Sequence, residues 1–308
     1  MTDFFFYTII AATPLLFATL GELITEKSGS LNLGVEGMML MGAAFGFIAA
    51  YHTGNAGLGL MGAAGAGALA AMIFAVLTVS LRANQVVTGL SLTIFGGGLS
   101  RFVGDSYIGL AVPKSAASFF GSLKIPLLSD IPFVGTVLFS QDIMVYFGYI
   151  SVAVFTVYLF RTHLGLNMRA VGENTAAADA SGVRVTAHKY AHIMLGGAYC
   201  GLGGAYLSLV NVPIFQADVV TGRGWIAVAL VIFASWNPIK AFLAAFLFGA
   251  LSILGLRLQS MGIHISQYLI DMLPYVATIV IVIISTRKNR KEDLPPGNLS
   301  VSYFREDR

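Results

Sequence analysis

The sequence is poor in charge and nearly without cysteine. Only 11% of its 308 residues are Asp, Glu, Lys or Arg, and Cys200 is the one cysteine. A single thiol excludes an internal disulfide and argues against a metal cluster. Gly-Lys occurs nowhere, so the phosphate-binding pattern Gly-x-x-x-x-Gly-Lys-Ser/Thr is missing. No Ser/His/Asp set stands out either, so no catalytic residue and no metal ligand is assigned. The alternating short segments of a β-barrel are absent. The opening MTDFFFYTII lacks a basic stretch and an Ala-x-Ala site, so it reads as a first span and not a cleaved signal.

What is present is apolar. Hydrophobic residues make up 56% of the chain, and mean hydropathy is +0.80. Runs of about 20 apolar residues recur, each long enough to cross a hydrocarbon core of roughly 30 Å. The fold class is therefore all-α, a polytopic helical membrane protein of about eight to nine spans. The spans are read at 4–22, 33–50, 58–81, 86–103, 143–161, 190–212, 222–236, 239–258 and 268–286. The run 222–236 is short and reads as a half-helix. Residues 1–286 form the transmembrane domain, and 287–308 a basic tail expected to be disordered. The 35 glycines suit close helix approach in lipid. Gly42 with Gly46, and Gly197 with Gly201, repeat the small-xxx-small spacing, read as packing within the chain.

Orientation follows from Lys and Arg, which concentrate on the cytoplasmic side. Placing the tail Arg287-Lys288-Asn289-Arg290-Lys291 inside puts 162–189, Arg82 and Lys240 inside and 104–142 outside. Of the 18 Lys and Arg, this leaves only Arg101, Lys114, Lys124, Arg223 and Arg257 outside. The net charge of +3 thus belongs to inner loops and not to a nucleic-acid surface. The external segment 104–142 is apolar enough to pack against the outer face. His163, His188 and His192 fall near the inner face and read as surface groups.

Two stretches carry polar groups out of proportion to their length. The first, GELITEKSGSLNLGVEGMMLMGAAFG over 21–46, places Glu22, Glu26, Asn32 and Glu36 beside a helix-breaking Ser28-Gly29-Ser30. A charged side chain at a helix centre costs roughly 2.5–3.5 kcal/mol. Broken backbone at depth survives only where protein buries it or water reaches it. This stretch reads either as a helix break lining a solute path or as a tight cytoplasmic turn. Candidate solute-contacting groups are Asn32, Glu36, Gln85, Thr88 and Asn211, although for any one of them a local structural role is the stronger reading.

The second stretch is 161–189, RTHLGLNMRAVGENTAAADASGVRVTAHK. Asn174 is placed to cap a short helix, Ala176 to Ala178 favour it, and Gly182 sits where a positive φ ends it. Thr186 is placed to cap the following span. A connection alone needs only a few residues, so this capped helix reads as a docking element for a soluble partner ahead of a helix lying on the membrane surface, where its mostly alanine face would grip lipid poorly. The candidate docking residues are Arg169, Glu173, Asn174, Ala177 and Gly182.

The stretches ELITEKSGSLNLGVEGMMLMGA, LGLNMRAVGENTAAADASGV, WNPIKAFLAAFLFGAL and QYLIDMLPYVATIVIVI occur in this order. In that order they resemble the membrane permease subunits of ABC importers of the branched-chain amino acid/ribose type. The first is most similar to permeases of the nucleoside type. The resemblance implies several partners: a cytoplasmic ABC ATPase, a second permease subunit (homologous or identical), an extracytoplasmic solute-binding protein and membrane lipid. It implies that ATP and magnesium sit on the ATPase, with no cofactor on this chain, and that 173–182 is the coupling helix. The expected location is a bacterial inner membrane. The expected cargo is a small polar solute, a nucleoside first and a simple sugar second. An ion-driven secondary transporter is the alternative mechanism, with Glu36 its main intramembrane ionisable group.

Overall fold

The computed structural model describes residues 2–260 and 294–305, with scattered residues between 269 and 283. Among the described residues, seven helices are long and apolar enough to cross a membrane. They are α1 (Thr2–Lys27), α2 (Val35–Thr53), α3 (Ala56–Ala75, prolonged by a π-helical turn to Ser80), α4 (Gln85–Gly104), α7 (Ile143–Arg161), α10 (Val185–Ala205, prolonged likewise to Asn211) and α12 (Pro238–Ser260). Between them lie α5 (Lys114–Ala117), α6 (Val134–Leu138), α8 (His163–Glu173), α9 (Thr175–Ala180) and α11 (Arg223–Phe233). The protein is thus an all-helical, multi-pass membrane protein. The expected last span, 268–286, lies for the most part outside the described residues.

The bundle is built on small residues. A Cβ at Gly42 would overlap the backbone of Gly201, so α2 and α10 meet backbone to backbone. Without a side chain at either position the two helices gain dispersion contacts that lipid cannot supply. The small-xxx-small pairs therefore serve packing within the chain. α1 is enclosed on nearly all sides: Phe17, Leu20, Leu23 and Ile24 are fully buried. It forms the central post, with α10, α11 and α12 around it.

The segment 104–142 folds back on the bundle. Val112, Ala116, Phe120 and Val137 are buried in a cluster with Phe47, Tyr206 and Phe215. This agrees with its apolar composition. A single bridge between Ala111 and Ile214 ties it to the segment after α10. Asp142 caps α7 by accepting from Met144 N–H at 2.9 Å and Val145 N–H at 3.1 Å, and also accepts from the Tyr206 hydroxyl at 2.8 Å.

Three expectations change. The region 162–189 holds two helices and not one, because α8 precedes α9. Thr186 caps nothing: α10 begins at Val185 with no side-chain cap. His192 is buried, bonded to Tyr158 Oη at 2.6 Å and to the His188 carbonyl at 2.5 Å.

Candidate functional site

The break after α1 does not form a turn at the bundle's end. Residues 28–34 climb back inside along α4. Leu31 N–H donates to Gln85 Oε1 at 2.7 Å, at the start of α4. Two turns on, Thr93 Oγ1 donates to the Leu33 carbonyl at 2.9 Å. Gly37 then lies against Gly96. Eleven residues of α4 separate Gln85 from Gly96, a climb of about 16 Å. α2 therefore starts level with the middle of α4 and not with its first turn.

Polar side chains hold this irregular backbone. Glu22 Oε1 accepts from Asn32 N–H at 3.0 Å, and Asn32 Oδ1 accepts from Gly34 N–H at 2.9 Å. Asn32 Nδ2 lies 3.5 Å from Met38 Sδ. Ser28 Oγ donates to the Thr25 carbonyl at 2.7 Å. Buried backbone groups that leave a helix must find such partners.

The same stretch holds a second discontinuous element. α11 has 11 residues, about 16 Å of helix against a core of roughly 30 Å. The expectation of a half-helix therefore holds. The N–H groups of Gly222 and Gly224 at its start donate to the two carboxylate oxygens of Glu36, at 2.8 and 2.7 Å. A carboxylate here meets both the free first-turn donors and the positive end of the helix. Beyond the far end of α11 the chain turns through Ser235 and Trp236, both at positive φ. There Trp236 Nε1 donates to Glu26 Oε2 at 2.6 Å. Glu36 and Glu26 thus bracket the half-helix, one at each end.

The sequence singled out Asn32, Glu36, Gln85, Thr88 and Asn211 for the path. The structure brings the first three together around the climbing segment. Thr88 lies nearby on α4, its hydroxyl donating to the Asn84 carbonyl at 2.8 Å. Asn211 is apart from them, exposed at the end of the π-helical extension of α10. Glu22, Glu26 and Trp236 belong to the same polar network. Glu22 and Glu26 were noticed in the sequence, but their partners lie up to 210 positions away.

The candidate docking residues gather at the α8–α9 end. Asn174 ends α8 and caps α9, accepting from Ala177 N–H at 3.0 Å. Gly182 follows at φ 83°. Glu173, Asn174, Ala176 and Ala177 are exposed. Arg169 lies inward on α8, its guanidinium 5.6 Å from the Phe160 ring. The expected disordered tail is folded here over residues 294–305. Asn298 N–H donates to the Gly172 carbonyl at 2.9 Å, and Tyr303 Oη donates to Asp179 Oδ2 at 2.9 Å.

Among the described residues, seven long apolar helices, a helix break packed inside the bundle and a half-helix define a membrane protein of transporter type. A family model described as the permease component of the branched-chain amino acid transport system matches residues 4–283. The chain belongs to this family, whose members are transport components of ABC systems. A protein named "Putative glucose ABC transporter permease protein TsgC13", from Haloferax volcanii, is 37% identical, covering 97% of this chain and 96% of its own. The nucleoside ABC transporter permease protein NupC of Lactococcus lactis is 34% identical over 89% of both chains. The guanosine ABC transporter permease protein NupQ of Bacillus subtilis is 34% identical over 89% of this chain and 88% of its own. No solved structure matches.

Proposed function

We propose that this chain forms the translocation path of an ABC importer for a nucleoside. A separate ATPase drives it, a solute-binding protein supplies it, and a second permease subunit completes the path in a bacterial inner membrane. The observation that carries the cargo class is the seat of Glu36. Half-helix N-termini in transporters commonly receive an anionic group of the substrate. At α11 the chain's own carboxylate fills that place. Such a path suits a neutral solute better than an amino acid, whose carboxylate would compete with Glu36 for the same donors. The names of the Lactococcus and Bacillus relatives support a nucleoside. The name of the Haloferax relative favours a second reading, a neutral sugar.

The α8–α9 end supports the energy source. A helix capped by Asn174 and ended at Gly182, with Ala176 and Ala177 outward, presents a small smooth knob for a soluble subunit. The test is tracer uptake into proteoliposomes holding the permease pair and its ATPase, with the binding protein outside. Guanosine or uridine uptake that needs ATP and outcompetes glucose supports the nucleoside reading; the reverse preference supports the sugar. Uptake by this chain alone, or uptake that stops when a proton gradient is collapsed with ATP present, overturns the assignment.

A further inference from the structure

We infer that the C-terminal segment 294–305 is a fixed part of the ATPase-docking surface, a strap that sets the position of α9. The inference rests on the ATPase-driven reading given above.

α9 cannot hold itself. It has six residues, far fewer than the roughly 12–15 an isolated helix needs in water. Its own apolar anchor is small: Ala178 packs with Val171 and Val185. The strap supplies what is missing. Tyr303 lies against this same cluster, and its hydroxyl donates to Asp179 near the end of α9. Arg305 Nε pairs with the same carboxylate at 3.2 Å. At the start of α9, Asn298 Nδ2 donates to Thr175 Oγ1 at 3.0 Å. One turn back, Asn298 N–H holds the last turn of α8 through the Gly172 carbonyl, and Gly297 N–H donates to Glu173 Oε2 at 3.1 Å.

The strap also ties α9 to the rest of the bundle. Leu299 packs beside the cluster that contains Leu23, Ile24 and Trp236. Phe304 lies under the guanidinium of Arg82, 4.2 Å from its carbon, in the turn between α3 and α4. Tyr303 and Arg305 form one wall of a cavity of about 650 Å³, with Arg82, Gln85 and Lys189 among its other lining groups. The polar groups of the strap hold α8 and α9, while the outer face of α9 stays open. A segment meant to block docking would lie on Ala176 and Ala177; this one leaves both exposed.

The test measures affinity of the ATPase for the permease in nanodiscs. Three forms are compared: the full chain, a chain ending at residue 293, and the point variant Tyr303→Ala. Expected is at least tenfold weaker docking on truncation and a smaller loss for Tyr303→Ala. A fourth form carries Thr175→Cys and Asn298→Cys in a Cys200→Ala background. Oxidation fixes the strap in place, and docking should remain that of the full chain. Unchanged or tighter docking on truncation overturns the strap, as does loss of docking when the cross-link forms. If truncation prevents recovery from the membrane, Tyr303→Ala and the cross-link decide. Failure of the full chain to bind any ATPase defeats the importer reading itself, a result distinct from equal binding by all forms.

Discussion

Glu26 and Trp236 lie 210 positions apart and meet at 2.6 Å, carboxylate oxygen to indole N–H, both buried. The contact joins the end of the central post α1 to the turn that follows α11. The other Glu26 oxygen, Oε1, has no N–H donor among the described residues and can be bonded only through a proton shared with Glu22. Losing the indole donor leaves Oε2 without an N–H donor as well. An unpaired buried acceptor costs about 1–3 kcal/mol, more where charge is involved. Trp236→Phe keeps the ring and removes the N–H. It should lower the thermal unfolding midpoint in detergent by several degrees. Glu26→Gln, which keeps an acceptor for the indole, should cost less. Equal loss from both variants would show that the bond is not what stabilises this turn.

Gly224 is fixed by the approach of α2 to α11. A Cβ there would stand 2.5 Å from Glu36 Cα and N, and backbone cannot move aside as a flexible side chain can. Gly224→Ala should displace α11 or Glu36 and abolish uptake, with reduced yield from membranes. Gly98→Ala on α4 is the control, since nothing lies within 4 Å of its Cβ position and alanine gains roughly 1 kcal/mol of helix propensity. Normal uptake by Gly224→Ala would show that the two helices are looser than this contact requires.

Glu36 accepts two backbone donors at a helix start. Charge-assisted bonds of this kind contribute about 1.5–3 kcal/mol each. Glu36→Gln leaves one acceptor oxygen and puts an NH₂ against a donor. It should reduce uptake at least tenfold while the chain still inserts. Glu36→Ala frees both donors, so anionic solutes should then inhibit the variant more strongly than the native chain. Native-like uptake and inhibition in both variants would remove α11 from the path.

Asp142 links stability to pH. It stands just before α7, and burial raises its carboxyl above the usual range, outweighing the lowering by its bonds to Tyr206, Val145 and Met144. A raised folded value means that the folded state binds the proton more tightly than the unfolded chain. Its contribution is full below the ordinary value of about 3.9 and is lost as pH rises through the folded value. Asp142→Asn keeps an acceptor for the cap and carries no charge. The variant should show a flatter rise in unfolding temperature with acidification than the native chain. Parallel pH profiles would assign the dependence to other groups.

Some of this architecture could be read from composition alone. The long spans announce themselves by unbroken apolar runs, and the half-helix by a run too short to cross. The cap of α9 was visible because Asn174, three alanines and Gly182 are local signals. The climb of residues 28–34 was not visible. Its partners Gln85 and Thr93 are 54 and 60 positions away, and the same Ser-Gly-Ser would suit an ordinary turn. α8 was hidden for a different reason. Gly165 and Gly172 look like helix breakers, yet each allows close backbone approach, Gly165 to Tyr158 and Gly172 to Lys27. The strap was hidden because its hold is mainly polar and distant, and a composition poor in apolar residues reads as disorder.

Ala177 offers the sharpest separation of docking from folding. It is exposed on α9, its side chain accepts and donates nothing, and its N–H is already satisfied by Asn174 Oδ1. Ala177→Trp therefore leaves the cap and the packed side of the helix intact while adding bulk to the outward face. Insertion and unfolding temperature should be unchanged, whereas solute-stimulated ATP hydrolysis should fall severalfold and uptake further. Glu173→Arg acts differently, because it also removes the acceptor for Gly297 N–H and should loosen the strap. If docking through α9 is right, the two variants share the transport defect, and only Glu173→Arg also increases proteolysis of the C-terminal segment. Native uptake by Ala177→Trp would move the docking surface elsewhere on the protein.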